Sequence, residues 1–146
     1  MQLLSFRKPY EMLPPVPEEQ MLTHGFAYKH GAFLSDIGLD DINPILEQDD
    51  TFVWVGLHEP SASFLQKIQD KFALHALAVE DAYLAHQRPK AEVSGQSLFV
   101  VLHTIELVGS DLHVGELHLF LGRRFVLSIC HGTTLNAAQV RQRCEE

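Results

Sequence analysis

The sequence predicts an α/β fold, an α/β/α sandwich built around a mixed β-sheet in one domain. Three observations carry this expectation. Residues 51–58 (TFVWVGLH) form a nearly continuous apolar run of β-branched and aromatic residues, the pattern of a strand buried on both faces. After Ser61, Phe64, Leu65, Ile68 and Phe72 return at helical spacing, with Gln66, Lys67 and Asp70 on the other side. Stretches of these two kinds alternate along 146 residues, enough for one sizeable core and too few for two.

The elements follow in order. Residues 9–20 hold four prolines, so residues 1–21 are expected to be a mobile N-terminal arm and residues 22–146 the folded domain. GFAYKHGAFLSDI reads as two strands around Lys29-His30-Gly31, where Gly31 supplies the positive φ of a tight hairpin. Asp41 is placed to cap a short helix reaching Leu46, with Pro44 in its first turn where a missing N–H costs little. The strand at 51–58 is taken as central, with Trp54 and residues 99–102 in the sheet interior. Ser61 caps the helix that follows, and a second short helix covers about residues 78–86. Pro89 disfavours helical geometry at Arg88, so the chain is extended before SLFVVLHTIEL, the next strand, and the Ser-Gly pair of EVSGQS reads as a turn. HVGELHLFLGRR and FVLSICHG supply two more strands, set off by Gly109-Ser110-Asp111 and joined through Gly122 and the Arg pair. TTLNAAQVRQRCEE begins a helix.

Composition removes several classes of function. A formal charge of −8 argues against nucleic acid as a partner, since phosphate binding needs clustered Lys and Arg. The two cysteines, Cys130 and Cys144, form no CxxC or zinc-type pair and read as reduced, structural thiols. MQLLSFRKPYEM lacks the apolar core and small flanking residues of a secretory leader, so a cytosolic setting is expected. The longest apolar stretch, SLFVVLHTIELV, is too short to cross a bilayer and contains His103 and Glu106.

Catalytic signatures are missing as well. GxSxG, Walker A and GxGxxG do not occur. His58 begins HEPSA, without the second histidine of HExxH. His113 and His118 lie five apart on one strand and so point to opposite faces. The nine histidines therefore read as individually satisfied or solvated, and Glu80-Asp81, diverging by about 100° on a helix, as an acidic patch near a helix start rather than a facing acid and base. No enzyme is expected.

One long segment nevertheless resembles a known family. FVWVGLHEPSASFLQKIQDKFALHALAVEDAYLAHQRPKAEVSGQSLFVVLHT is similar to the N-terminal cytoplasmic domain of the CorA divalent-cation transporters. There a Trp strand, a Phe-x-Leu-His turn, a Glu-Asp pair and a His-Gln-Arg-Pro-Lys segment occur in this order, here at Trp54, Phe72 to His75, Glu80-Asp81 and His86 to Lys90. The resemblance extends over about residues 22–146 and implies an α/β/α sandwich around a mixed sheet, in agreement with the pattern read above. It also implies a homopentameric channel in the cell inner membrane, anchored through a stalk and two membrane helices that this sequence lacks, together with the Gly-Met-Asn filter motif. By the same resemblance this domain is cytoplasmic and regulates Mg²⁺ and Co²⁺ transport, with Ni²⁺ or, in a ZntB-like variant, Zn²⁺ as other ions. Asp81 first, and Glu80 second, would then hold a regulatory Mg²⁺ between subunits. A stand-alone metal-binding protein or small enzyme is the competing reading.

Overall fold

A computed structural model describes residues 17–133 and 135–146. The elements are α1 (Glu18–Met21), β1 (Leu22–Lys29), β2 (Ala32–Asp36), a 3₁₀ turn (Leu39–Asp41), α2 (Ile42–Leu46), β3 (Thr51–His58), α3 (Ala62–Phe72), α4 (Ala76–Leu84), β4 (Lys90–Ser94), β5 (Ser97–Val108), β6 (Asp111–Leu121), β7 (Phe125–His131) and α5 (Ala137–Glu145). The strands form one mixed sheet in the order β2-β1-β3-β7-β6-β5-β4, in which only β3 and β7 run parallel. The α/β expectation holds, with helices on both faces.

The register explains where the core sits. Val55, Leu127, Phe120 and Phe99 are cross-strand partners and form one apolar row over four strands, and Leu57, Ile129, His118 and Val101 form the next. All eight are fully or almost fully buried. α2 presses Ile42, α3 Phe64, Leu65, Ile68 and Phe72, and α4 Ala78, Val79 and Ala82 into the same core. Each large side chain buried in this way contributes roughly 1.5–3 kcal/mol. On the opposite face α5 covers the β1–β2 edge, where the Arg141 guanidinium lies 3.9 Å from the Phe33 ring centre and 4.8 Å from that of Phe26.

Several expectations change in detail. β3 is an interior strand as expected, third of seven and flanked by β1 and β7, but not every side chain on it is in the core. Trp54 is half-buried on the α5 face, edge-on to His24 and Phe26, with its indole N–H donating to Ser128 Oγ at 3.2 Å. Residues 99–102 alternate, with Phe99 and Val101 in the core and Leu102 44% exposed. KAEVS forms an edge strand, β4, that the sequence reading passed over, and Gly95 opens the tight turn into β5 with φ +62°. Asp41 occupies the cap position of α2, but its carboxylate accepts from the Gly38 N–H of the preceding turn. The boundary drawn at residue 21 falls at the end of a helical turn, because Met21 is buried in the core and Glu18 pairs with Lys67 at 2.8 Å. The rest of the expected arm, residues 1–16, lies outside the described residues. Cys130 is buried and Cys144 exposed, both as free thiols, so only Cys130 packs structurally.

Beyond the helices the sheet continues as the far end of the β5–β6 hairpin. Ile105 pairs with Val114 and Leu107 with Leu112, on the same face as the core rows. These four side chains are 64–70% exposed.

Candidate functional site

α4 carries the acidic pair, and its limits follow from local chemistry. It starts two residues earlier than its periodicity suggests, because the His75 imidazole accepts from the Leu77 N–H at 3.2 Å and acts as N-cap. Ala78, Val79 and Ala82 face the core, which turns Glu80 outward and leaves Asp81 at the rim. Both acids sit in the middle of the helix rather than in its first turn, so the dipole argument for them does not apply. Glu80 is exposed. Asp81 is engaged: its Oδ2 lies 3.0 Å from Lys90 Nζ, which also lies 3.0 Å from Glu92 Oε1. These bonds hold the Lys90 ammonium in its charged form, with Glu92 the larger influence and Asp81 the next. An open depression of about 250 Å³ beside this triad is lined by His75, Leu77, Asp81, Glu92 and Val93 among others. The carboxylate oxygens are donors of the kind a hard divalent ion prefers, but among the described residues no three His, Cys, Asp or Glu side chains converge on one ion position.

A second polar cluster lies outside the residues expected from the sequence. One row beyond Leu57–Ile129–His118–Val101 the apolar pattern gives way to His131, Glu116 and His103, again cross-strand partners. Glu116 accepts from the backbone N–H groups of His86 at 2.6 Å and Gln87 at 2.7 Å, and so pins the chain that leaves α4. Burial alone would raise its carboxyl pKa, but contact with His118 and the two amide bonds outweigh it and lower the value to about 2. The amide bonds are the firm part of this balance, since the His118 Nε2 contact is 3.5 Å. His131 contacts the Ala82 carbonyl oxygen at 2.6 Å through Nε2 and Glu59 at 3.3 Å through Nδ1, tying β7 to the same helix. His118 is fully buried, its ring 5.1 Å from that of His131. His113 lies on the opposite face of β6, as the odd spacing requires, and is exposed. Single-residue reading of the histidines could not see this cluster, because its members come together only through strand register.

The pinned segment is strained. Ala85 has φ 55° and ψ −162°, a region that favours glycine, and His86 also has a positive φ of 54°. Two left-handed residues in succession aim the next amides at Glu116. The His-Gln-Arg-Pro-Lys segment is thus the joint between α4 and β4, closed on one side by Glu116 and on the other by the Asp81–Lys90 pair.

Comparison with known proteins gives a consistent answer. Residues 49–146 match the family described as CorA-like Mg²⁺ transporter protein. YfjQ of Bacillus subtilis (strain 168), named for metal ion transport, is 29% identical over 102 residues, which is 70% of this chain and 31% of YfjQ. Among solved structures, full-length CmaX superposes with a TM-score of 0.68 at 18% identity, covering 86% of this chain and 39% of CmaX. The soluble domain of CorA from Methanocaldococcus jannaschii gives 0.55 at 13% identity over 82% of this chain and 44% of that one. The ZntB cytoplasmic domain from Vibrio parahaemolyticus RIMD 2210633 gives 0.61 at 9% identity over 86% and 50%. At these identities the structural likenesses establish the fold, and the chain spans half or less of the length of each of these proteins. The family match covers most of the chain, from the start of β3 through α5, and on that ground the chain belongs to the CorA-like Mg²⁺ transporter proteins.

Proposed function

We propose that this chain is the cytoplasmic, cation-sensing domain of a CorA-like transporter that moves Mg²⁺, and Co²⁺ as a related ion, through a homopentameric channel in the cell membrane. The observation that carries the reading is the placement of Glu80 and Asp81 at the rim of α4, within a fold of the family's type. Hard divalent ions take oxygen ligands and keep several waters, so a regulatory site between subunits needs only one or two carboxylates from each. Asp81, with Glu80 beside it, would supply one side and a neighbouring subunit the other. With the ion bound, the closed assembly is favoured; when Mg²⁺ falls, the acidic groups repel and the assembly loosens. The exposed apolar face of the β5–β6 hairpin supports membership of a larger assembly, since such patches are uncommon on monomers. Among the described residues no helix is long and apolar enough to cross a membrane, so in this reading conduction belongs to a further part of the transporter.

The test uses the full-length transporter with Asp81→Ala or Asp81→Lys, and measures the Mg²⁺ concentration that halves current or uptake. A shift to higher Mg²⁺ with Asp81→Ala is expected. Unchanged inhibition would sink the role of Asp81, and loss of transport at every Mg²⁺ concentration in an assembled pentamer would count against regulation alone.

A further inference from the structure

The Asp81 carboxylate is not a vacant ligand, because a cation of the chain itself already sits on it. Lys90 and Glu92 lie two residues apart on β4 and so point to the same face of the strand, beneath the rim of α4. Three contacts fix the Lys90 ammonium there: 3.0 Å to Asp81 Oδ2, 3.0 Å to Glu92 Oε1 and 5.5 Å to the centre of the Phe99 ring. Pro89 and the Glu116-pinned segment before it determine where β4 begins, and so which residue reaches Asp81.

We propose that Lys90 is a built-in competitor for the divalent ion at Asp81: its ammonium holds the carboxylate when no ion is bound and must be displaced before one can be held there. The proposal rests on the reading of Asp81 given above and adds the device that sets the threshold of that site. The exchange is chemically feasible for two reasons. Asp81 and Lys90 side chains are 36% and 30% exposed, a setting in which an ion pair holds only weakly. Once displaced, Lys90 still has Glu92 as a partner, so no charge is left buried and alone. A hydrated divalent ion, carrying twice the charge and able to bridge to a second carboxylate, outcompetes a single ammonium at sufficient concentration. Lys90 thus keeps Asp81 from answering to low ion levels.

Mn²⁺, an oxygen-seeking paramagnetic stand-in for Mg²⁺, provides the test on this chain, because broadening of amide NMR signals reports even millimolar binding and the same spectra report the fold. Lys90→Met keeps the hydrocarbon stem against Phe99 and removes the charge; Lys90→Arg keeps the charge. Lys90→Met is expected to tighten Mn²⁺ binding at residues 77–82 and 92 by roughly two- to fivefold, the equivalent of one exposed ion pair removed. Lys90→Arg should match the parent chain, and adding Asp81→Asn to Lys90→Met should abolish the gain. Unchanged affinity in Lys90→Met, or a gain that survives Asp81→Asn, overturns the competition. If Lys90→Met changes nothing while Asp81→Asn alone weakens binding, the competition falls and the reading of Asp81 stands; if neither substitution matters, both fall.

Discussion

Replacing Glu116 with Gln tests the joint below α4 at its strongest point. The carboxylate accepts two backbone amides at 2.6 and 2.7 Å from a position that is 8% exposed. A Gln side chain can accept only one of them and turns an NH₂ group toward the other, so one charge-assisted hydrogen bond is lost and one amide is left facing a donor. Hydrogen bonds to a charged group contribute about 1.5–3 kcal/mol each, and Glu116→Gln should therefore destabilise the chain by about 2–4 kcal/mol at pH 7. The lowered carboxyl pKa, which reflects the same hydrogen bonds, leads to a figure of the same order. Moving a carboxyl from 4.5 in the unfolded chain to about 2 in the folded one is equivalent to about 3 kcal/mol. Because the folded value is the lower one, this stability is complete above pH 4.5 and is lost as the pH falls toward 2. Urea unfolding of both proteins at pH 7 and at points down to pH 2.5 should show the gap narrowing on acidification, and the His86 and Gln87 amides should exchange faster in the variant at pH 7. A gap of the same size at every pH, or no gap at pH 7, would refute the charge-assisted clamp.

Other outcomes follow from burial on the two faces of the sheet. Phe99→Ala should cost about 3–5 kcal/mol, because Phe99 is fully buried between Phe120 and His118, whereas half-buried Trp54→Ala should cost less; equal urea midpoints would contradict this ordering. Burial lowers the His24 pKa from 6.5 to about 4, so folding favours the neutral ring and stability should fall as the pH drops from 6.5 toward 4. His24→Gln should remove that part of the slope, and an unchanged slope in urea unfolding between pH 4 and 6.5 would show that His24 is not its source.

Most of the architecture was legible in the sequence because it depends on short periods. The spacing of Phe64, Leu65, Ile68 and Phe72 fixed α3 and the face it buries, and Ser61 caps it by accepting the Phe64 N–H. His30-Gly31 turns the first hairpin with φ values of 52° and 79°, as a tight turn demands. β4 escaped notice because it is an edge strand whose Val93 is 82% exposed, and exposure removes the alternation that marks a half-buried strand. Glu80 and Asp81 could be singled out by resemblance, but the Lys90 ammonium on Asp81 depends on how β4 packs under α4. Glu116 was invisible for a further reason: its partners are backbone amides 30 and 29 residues away, and backbone amides carry no side-chain signature.

The same blindness applies to the strain at Ala85, which leads to a final prediction. Nothing about an alanine announces φ 55° and ψ −162°, yet the geometry is required there if His86 and Gln87 are to donate to Glu116. A non-glycine residue in this region costs about 1–3 kcal/mol, and glycine avoids the cost while losing some of the gain to its freer unfolded chain. Ala85→Gly should therefore stabilise the domain by about 1 kcal/mol in urea unfolding, against the usual direction of Ala→Gly substitutions. The gain should persist in the Glu116→Gln background only if the left-handed geometry survives without the clamp. A loss of stability in the otherwise unmodified chain would mean that Ala85 is not strained as described. A gain that disappears with Glu116→Gln would mean that the carboxylate itself forces the chain into this shape, making Glu116 the cause of the α4 exit geometry rather than a group that exploits it.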